Sequence, residues 1–367
     1  MRLISTLDCH EGLKVAKPIY DGRNKILLNS GVRLTDKIIT QLKSKEVGFI
    51  YVESPITEGV ILQDEISVPL RMETAQHIGK VFKALTDGDN SRIKKISRGK
   101  AIRELKSVYE RLLKDIKAKP SLINLLSNLQ MENNKILQHS LNVSMYAVTI
   151  GRHLSIFDKD LYLLGLGAMF HDIGRSKLRP ELLIKTELTE EDKKEYRNHT
   201  IEGFEMLRKD RELHLLIPHC AYQHHENVDG TGFPRGLKGK DIHQFAKIIA
   251  VADLFDKLTN PKSGKRAMLP HEAMEVVQGL CYTRFDPNII DAFRKSVAIY
   301  PIGVTVSLNT GEKGVVVDYN HHLPQRPKIR VFTDREGNKL DNYYELDLLK
   351  ELSCMIVKCD AILDEGK

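Results

Sequence analysis

No stretch of this 367-residue chain approaches the ~20 consecutive apolar residues that a membrane helix needs. The nearest candidate, Leu161 to Phe170, is about half that length and reads as a buried core helix. A signal-peptide pattern is not expected either, because charged residues interrupt any apolar stretch between Asp8 and Lys17. The expected location is therefore cytoplasmic, without membrane insertion. Cysteine is sparse: Cys9, Cys220, Cys281, Cys354 and Cys359 are scattered, with no C-x-x-C pair. That pattern gives neither a disulfide framework nor a zinc ribbon. A strong charge excess is absent too. The net charge of +7 favours anionic ligands but falls short of the basic footprint of a nucleic-acid binder, so no DNA or RNA duplex is expected as partner. No internal repeat or low-complexity tract occurs. With 41% apolar and 29% charged residues, the chain has core-forming material and does not read as disordered. Its length suits two or three domains.

Four segments differ in pattern, and together they predict a mainly α protein with small modules at both ends. Residues 1–60 read as an α+β module, with a short strand at Gly12 to Ala16 and a turn at Asp21-Gly22. Lys25 to Leu28 leads to a second turn near Asn29 to Gly31. A helix over Thr35 to Ser44 and a strand at Phe49 to Val52 follow. Residues 61–120 read as a helical linker or as the dimerisation segment of a homodimer, with Val81, Leu85, Leu105, Val108 and Leu112 at helical spacings. Lys and Arg are dense from Arg92 to Lys119, but interleaved acids favour a solvated helix face over a nucleic-acid arm. Pro120-Ser121 reads as a break.

Residues 121–300 read as almost wholly helical. Asp158 is the expected N-cap of a helix running to His171 and ending near Gly174. Thr189 to Asp192 resembles a capping box opening a helix through His199 to Leu207. Gly230, Gly232, Pro234, Gly236 and Gly239 make a glycine-rich loop, Ile242 to Leu258 resumes the helix, and Asp286-Pro287 starts the last one. Residues 301–367 read as a small β-rich module, with strands at Val304 to Leu308, Gly314 to Tyr319 and Lys328 to Phe332.

Histidine carries the functional signal. Eight of the fourteen histidines fall between His139 and His225. His139, the pair His171-Asp172, His199, the pair His224-His225 and Asp253 offer imidazole and carboxylate donors, which suit iron, manganese or zinc better than magnesium or calcium. Adjacent donors can diverge toward two ions, with the aspartate between them. Asp253 sits in the apolar run Ala250-Val251-Ala252, where an unpaired carboxylate is costly to bury. A single histidine on a buried face is usually a hydrogen-bonded core residue, and His153, His214 and His219 are read that way. Two adjacent donor pairs joined by single donors on separate helices are not explained by packing.

His171-Asp172-Ile173-Gly174 resembles the signature of the HD metal-dependent phosphohydrolases. The run His224-His225-Glu226-Asn227-Val228-Asp229-Gly230-Thr231-Gly232-Phe233-Pro234-Arg235-Gly236-Leu237 resembles the HHE-x-x-DG-x-GYP-x-GL segment of the HD-GYP branch. Asn198 to Gly203 and Val251 to Thr259 agree as well, and the likeness extends from about Asn134 to Phe293. It implies an HD-type helical bundle in which His139, His171, Asp172 and Asp253 surround one metal, while Asp172, His199, His224 and His225 surround the other. Two divalent ions, iron or manganese with zinc as the alternative, would activate a water and neutralise phosphate charge. The implied reaction is hydrolysis of cyclic di-GMP to linear pGpG and onward to GMP, with Asp172 and Arg175 as catalytic residues. Arg175, Lys262, Lys265 and Arg266 are the implied substrate contacts. Alternatives are another cyclic dinucleotide such as cyclic GMP-AMP, or a slow, metal-holding receptor.

Several positions depart from the family pattern. Arg175 stands where lysine is usual, and arginine does not donate a proton at ordinary pH. Phe233 replaces the tyrosine of GYP, and Lys262-Ser263-Gly264 replaces an arginine-proline-tyrosine segment. Lys135 stands where some members carry a glutamate for a third metal, which implies two ions here. The glycine-rich loop lacks a phosphate-loop context and is read as a sharp turn beside the metals. Glu226 and Asp229 either support the ligands there or, for Glu226, form a structural ion pair.

Overall fold

The computed structural model describes residues 1–21, 26–60, 66–87, 91–118, 129–130, 135–185, 187–261, 266–320 and 323–363. The expected break at Pro120-Ser121 lies outside them. Strand β1 (Arg2–Ser5) opens the N-terminal region; β2 (Ile19–Asp21) and β3 (Ile26–Leu28) follow. Helix α1 (Asp36–Ser44) is capped by Thr35, whose side chain accepts from the Ile38 N–H, and β4 (Phe49–Val52) runs antiparallel to β1. Residues Gly12 to Ala16 do not form the expected strand: they contribute single bridges, Lys14 to Arg33 and Val15 to Val52. The strand lies instead at Arg2–Ser5, hidden in sequence by a charged residue. Arg2 is fully buried there, its Nη2 donating to the Ile362 carbonyl at 3.1 Å and its guanidinium lying over the Phe332 ring.

Helices α2 (Val68–Thr86) and α3 (Arg92–Ala118) form a long pair. Met72, Ala75, Ile78 and Val81 of α2, and Ile102, Leu105, Tyr109 and Leu112 of α3, face the main core, as helical periodicity requires. The cations of α3 pair with acids around it: Arg98 with Asp210 (2.7 Å), Arg103 with Glu212 (2.7 Å) and Lys117 with Asp158 (2.6 Å).

The short β5 (Leu129–Gln130) pairs with β2 and precedes α4 (Lys135–His153). Almost every side chain of α4 from Leu137 to Gly151 is buried, as expected for the central helix of a bundle. Around it pack α5 (Asp158–Phe170), α10 (Gln244–Thr259), α12 (Pro287–Ser296) and α2. Between α5 and α10 the chain forms α6 (Pro180–Ile184), α7 (Glu190–Arg197), α8 (His199–Leu207) and α9 (Leu216–Gln223); α11 (Pro270–Gly279) precedes α12. The capping box at Thr189 and Asp192 is present. Asp158 is the first residue of α5 and not its cap; Phe157 holds the cap position in extended backbone. Asp158 still places negative charge in the first turn, where the helix dipole favours it.

The C-terminal region is a five-stranded antiparallel sheet, β6 (Thr305–Leu308), β7 (Lys313–Asp318), β8 (Lys328–Thr333), β9 (Lys339–Asp347) and β10 (Ile356–Asp360), in the order β10-β6-β7-β8-β9. The first three match the expected strands. β9 and β10 lie at the edges, where mixed polar sequence removes the apolar alternation that marks a strand. Leu3 and Tyr51 share a core with Val304, Val306, Ile329 and Val331, joining the N-terminal region to this sheet. No helix among the described residues is long and apolar enough to cross a membrane.

Candidate metal centre

The seven donors proposed from sequence meet where α4, α5, α8, α9 and α10 converge. His139 lies on α4 and Asp253 on α10. His171 caps the C-terminus of α5, and Asp172 begins a tight 3-10 turn over Ile173–Lys177. His199 opens α8, and His224 caps α9 just before His225. Gly174 is what allows the His-Asp turn to meet α8: a Cβ there would collide with the His199 carbonyl and sit 2.6 Å from the Gly203 nitrogen.

Asp172 faces both halves of the group with different oxygens. Its Oδ2 lies 3.3 Å from His171 Nε2 and 3.6 Å from His139 Nε2. Asp253 Oδ1 completes that side, 2.9 Å from His139 Nε2 and 3.4 Å from His171 Nε2. Asp172 Oδ1 faces the other way, 3.4 Å from His199 Nε2 and 3.5 Å from His224 Nε2; His225 completes that cluster. Within each cluster of four, all donor atoms lie within 4.8 Å of one another. Donors held at about 2.0–2.1 Å from one ion sit roughly 3–3.4 Å apart, so these separations fit a binuclear metal site.

In four of the five histidines the other ring nitrogen is already committed, which leaves Nε2 for the centre. Nδ1 of His171 bonds the Ala168 carbonyl (2.7 Å), Nδ1 of His224 the Ala221 carbonyl (2.9 Å), and Nδ1 of His199 the Tyr196 carbonyl. Each carbonyl selects the Nδ1–H tautomer and leaves Nε2 as a lone-pair donor. His139 Nδ1 instead meets Asp256 Oδ2 at 2.7 Å, and the amides of Asn142 and Asn260 donate to Asp256 Oδ1, both at 2.9 Å. Both oxygens of Asp172, Arg175 Nε, His171 Nε2 and His225 Nε2 are buried without a hydrogen-bond partner. Orphaned buried polar atoms are costly, and a pair of metal ions would remove that cost.

Electrostatics separate the two halves. Burial alone would raise the Asp172 and Asp253 carboxyls, but nearby cations hold both well below the ordinary value: Arg175, His171 and Lys257 act on Asp172, and Lys257 and His139 on Asp253. Burial opposes charge on His139 as well, yet its bonds to Asp172, Asp253 and Asp256 push it up to about 10. Burial takes His224 down to about 4 and His225 well below its ordinary value, so both are neutral donors near pH 7.

Around the donors, Glu226 settles as a loop anchor: its two oxygens accept the backbone N–H groups of Arg235 and Leu237, each at 2.8 Å. Asp229 holds Thr231 within the same loop. Phe233 stacks on His225 with centroids 4.7 Å apart, and Arg197 lies over the Phe233 ring. Gly232 is required by close approach, since a Cβ would lie 2.5 Å from the His225 carbonyl and 2.6 Å from Glu226 Cα. Arg175 is buried, with Nε 3.0 Å from Asp172 Oδ1 and Nη2 donating to the Tyr196 hydroxyl. Arg266 is exposed and pairs with Glu272 at 3.7 Å, while Lys262 and Lys265 lie outside the described residues. Lys135 pairs with Glu46. His219 packs on Phe204, and His214 accepts from the Leu216 N–H, both away from the donors. Asp256 and Asn142 had no assigned role from sequence. Their one local signal is that Asp253, Asp256, Lys257 and Asn260 recur on one face of α10 at spacings of three and four.

Residues 120–289 match the model of the HD domain, and residues 305–364 match that of the KOW domain associated with HD domain. The chain is 31% identical over 216 residues to a cyclic di-GMP phosphodiesterase of Pseudomonas aeruginosa, covering 58% of this chain and 51% of that protein. It is also 31% identical over 176 residues to a 3'3'-cGAMP-specific phosphodiesterase of Vibrio cholerae, covering 48% and 38%. The chain thus spans about half the length, or less, of the curated relatives it matches. Among solved structures, an HD-GYP-type protein of Bdellovibrio bacteriovorus aligns with TM-score 0.48 and 18% identity, covering 79% of this chain and 97% of that one.

Proposed function

Because residues 120–289 belong to the HD-domain family, related to the cyclic di-GMP phosphodiesterases, we propose that this protein is a metal-dependent phosphodiesterase of cyclic dinucleotides. The observation that carries the reading is the shared carboxylate: Asp172 presents one oxygen to each of two donor clusters. His139, His171, Asp253 and Asp172 would hold one divalent ion, and His199, His224, His225 and Asp172 would hold the other. When bound, the ions supply an activated water and offset phosphate charge during in-line displacement. Iron or manganese is the proposed metal, with zinc as the alternative, on the basis of the imidazole-rich donor set.

The remaining residues hold this constellation in place. Backbone carbonyls and Asp256 keep the histidine nitrogens correctly protonated, and Phe233 fixes the His225 ring by stacking. Glu226 ties down the loop that carries Phe233. Arg175 and Lys257 keep Asp172 and Asp253 ionised despite burial, so the carboxylates remain ligands and do not act as acids. Arg266, with Lys262 and Lys265, is the proposed contact for the substrate's phosphates or guanine edges.

The proposed substrate is cyclic di-GMP, opened to linear pGpG and then to GMP. Relatives named for cyclic di-GMP and for 3'3'-cGAMP support the class equally. Protein loaded with manganese or iron(II) is incubated with each cyclic dinucleotide alone and with both in competition, and products are separated chromatographically. The reading expects linear dinucleotide from cyclic di-GMP at the higher kcat/KM. Full metal loading without a linear product from either would overturn it, and preference for cGAMP would overturn the choice of substrate.

A further inference from the structure

Arg175 has only 2% of its surface exposed. Its Nε lies 3.0 Å from Asp172 Oδ1, an ion pair without hydrogen-bond geometry, and the guanidinium lies over the Tyr196 ring, 5.2 Å from the centroid. Oδ1 is the oxygen that faces His199 and His224. One cluster therefore has Asp253 Oδ1 and Asp172 Oδ2 beside two imidazoles. The other has three imidazoles and an oxygen already shared with a buried cation. Lys257 stands on Asp253 Oδ2 at 2.6 Å, but its side chain is 31% exposed. A lysine stem of that exposure can swing its ammonium into water. Arg175 is enclosed and cannot be neutralised.

Asp172 and Asp253 thus already face one enclosed cation and one that can turn to water before any ion arrives, and the third buried carboxylate, Asp256, stands behind His139 on the first cluster. We propose that Arg175 is a positioning residue that makes the centre load unequally. The ion at His139, His171, Asp172 and Asp253 binds tightly and first. The ion at Asp172, His199, His224 and His225 binds weakly until an anionic ligand, a phosphate group in chemical class, joins it. This inference rests on the metal-centre reading above and assigns Arg175 to the metal equilibrium, not to direct contact with substrate.

The test is a manganese titration of the full chain, followed by calorimetry and by the resonance signal of free Mn²⁺, with and without inorganic phosphate. The wild type should show two sites differing by about tenfold or more, and phosphate should tighten the weaker one. Arg175→Gln should tighten the weaker site by about tenfold and reduce its dependence on phosphate, while Arg175→Lys, which restores the charge, should remain unequal. Two equal sites in the wild type would overturn the proposal. So would an Arg175→Gln protein whose weaker site is unchanged or weaker still. Should that variant not fold, the wild-type titrations with and without phosphate decide, since a weak site indifferent to phosphate also overturns it. Failure of any ion to bind overturns the metal-centre reading itself, a different outcome from two equal sites.

Discussion

Replacing Asp256 with asparagine removes one charge and almost no volume, yet the hydrogen-bond pattern around it leaves the substitute no satisfactory orientation. In the native site Oδ2 takes the His139 Nδ1–H at 2.7 Å, and Oδ1 takes the amides of Asn142 and Asn260, both at 2.9 Å. All three partners are donors, and Asp256 is buried to 1% exposure. An asparagine has one acceptor oxygen and one donor amide. Either His139 loses its partner, or the two amides do. An unpaired buried donor costs about 1–3 kcal/mol, and groups that orient a ligating histidine are worth roughly 10- to 100-fold in metal affinity, or about 1.4–2.7 kcal/mol. In Asp256→Asn the tight ion should therefore weaken by about 10- to 100-fold, with the other ion little changed, as read by manganese titration. A variant that binds the tight ion as the wild type does would refute the idea that Asp256 sets the His139 donor.

Metal affinity should also depend on pH in a site-specific way. In the metal-free protein, despite burial, the carboxylates raise His139 to about 10 and raise His171 as well, so an ion taking their Nε2 atoms must displace protons, and affinity at that cluster should rise by about tenfold or more per pH unit from 6.5 to 8.5. His224, lowered to about 4 by burial, has no proton to lose in that range. A flat profile for the His139 cluster would contradict the assignment. Glu226→Gln keeps one acceptor where two backbone N–H groups need one each, so amide exchange at Arg235 or Leu237 should accelerate, corresponding to about 1–3 kcal/mol; native protection at both would count against the anchor role. Gly232→Ala places a methyl 2.5 Å from a backbone carbonyl, so the thermal midpoint should drop and the His225 cluster should lose its ion. A wild-type melting curve with two bound ions would show that the loop has room to yield.

The donors of the candidate centre were legible because their chemistry is rare in combination. Two adjacent donor pairs and three single donors have no packing explanation, and the fold brings all seven together. What supports them was harder to see. Asp256 and Asn142 are ordinary polar residues until His139 is placed against them, and Glu226 acts on backbone groups nine and eleven residues away, which no local pattern records. The same distinction holds for the fold. Helices with an apolar face on a 3.6-residue period could be located, and their starts shifted by only a residue or two, as at Asp158; their ends did not follow, since α5 stops at Phe170 and not near Gly174, and the helix expected from Thr189 to Leu207 breaks at Asn198 into α7 and α8. Strands whose burial depends on distant partners could not. β1 begins with a charged residue that is buried through contacts with Ile362 and Phe332, and β9 exposes much of its length at a sheet edge.

The shared carboxylate is tested most directly by counting ions at equilibrium. Full chains are dialysed against a manganese concentration that fills both sites of the wild type, and bound metal is determined by mass spectrometry for Asp172→Ala beside His139→Ala and His225→Ala. Each histidine variant should lose one ion and keep the other, while Asp172→Ala should lose both. An Asp172→Ala protein that folds and still retains one full ion would contradict the claim that a single carboxylate joins the two halves of the centre.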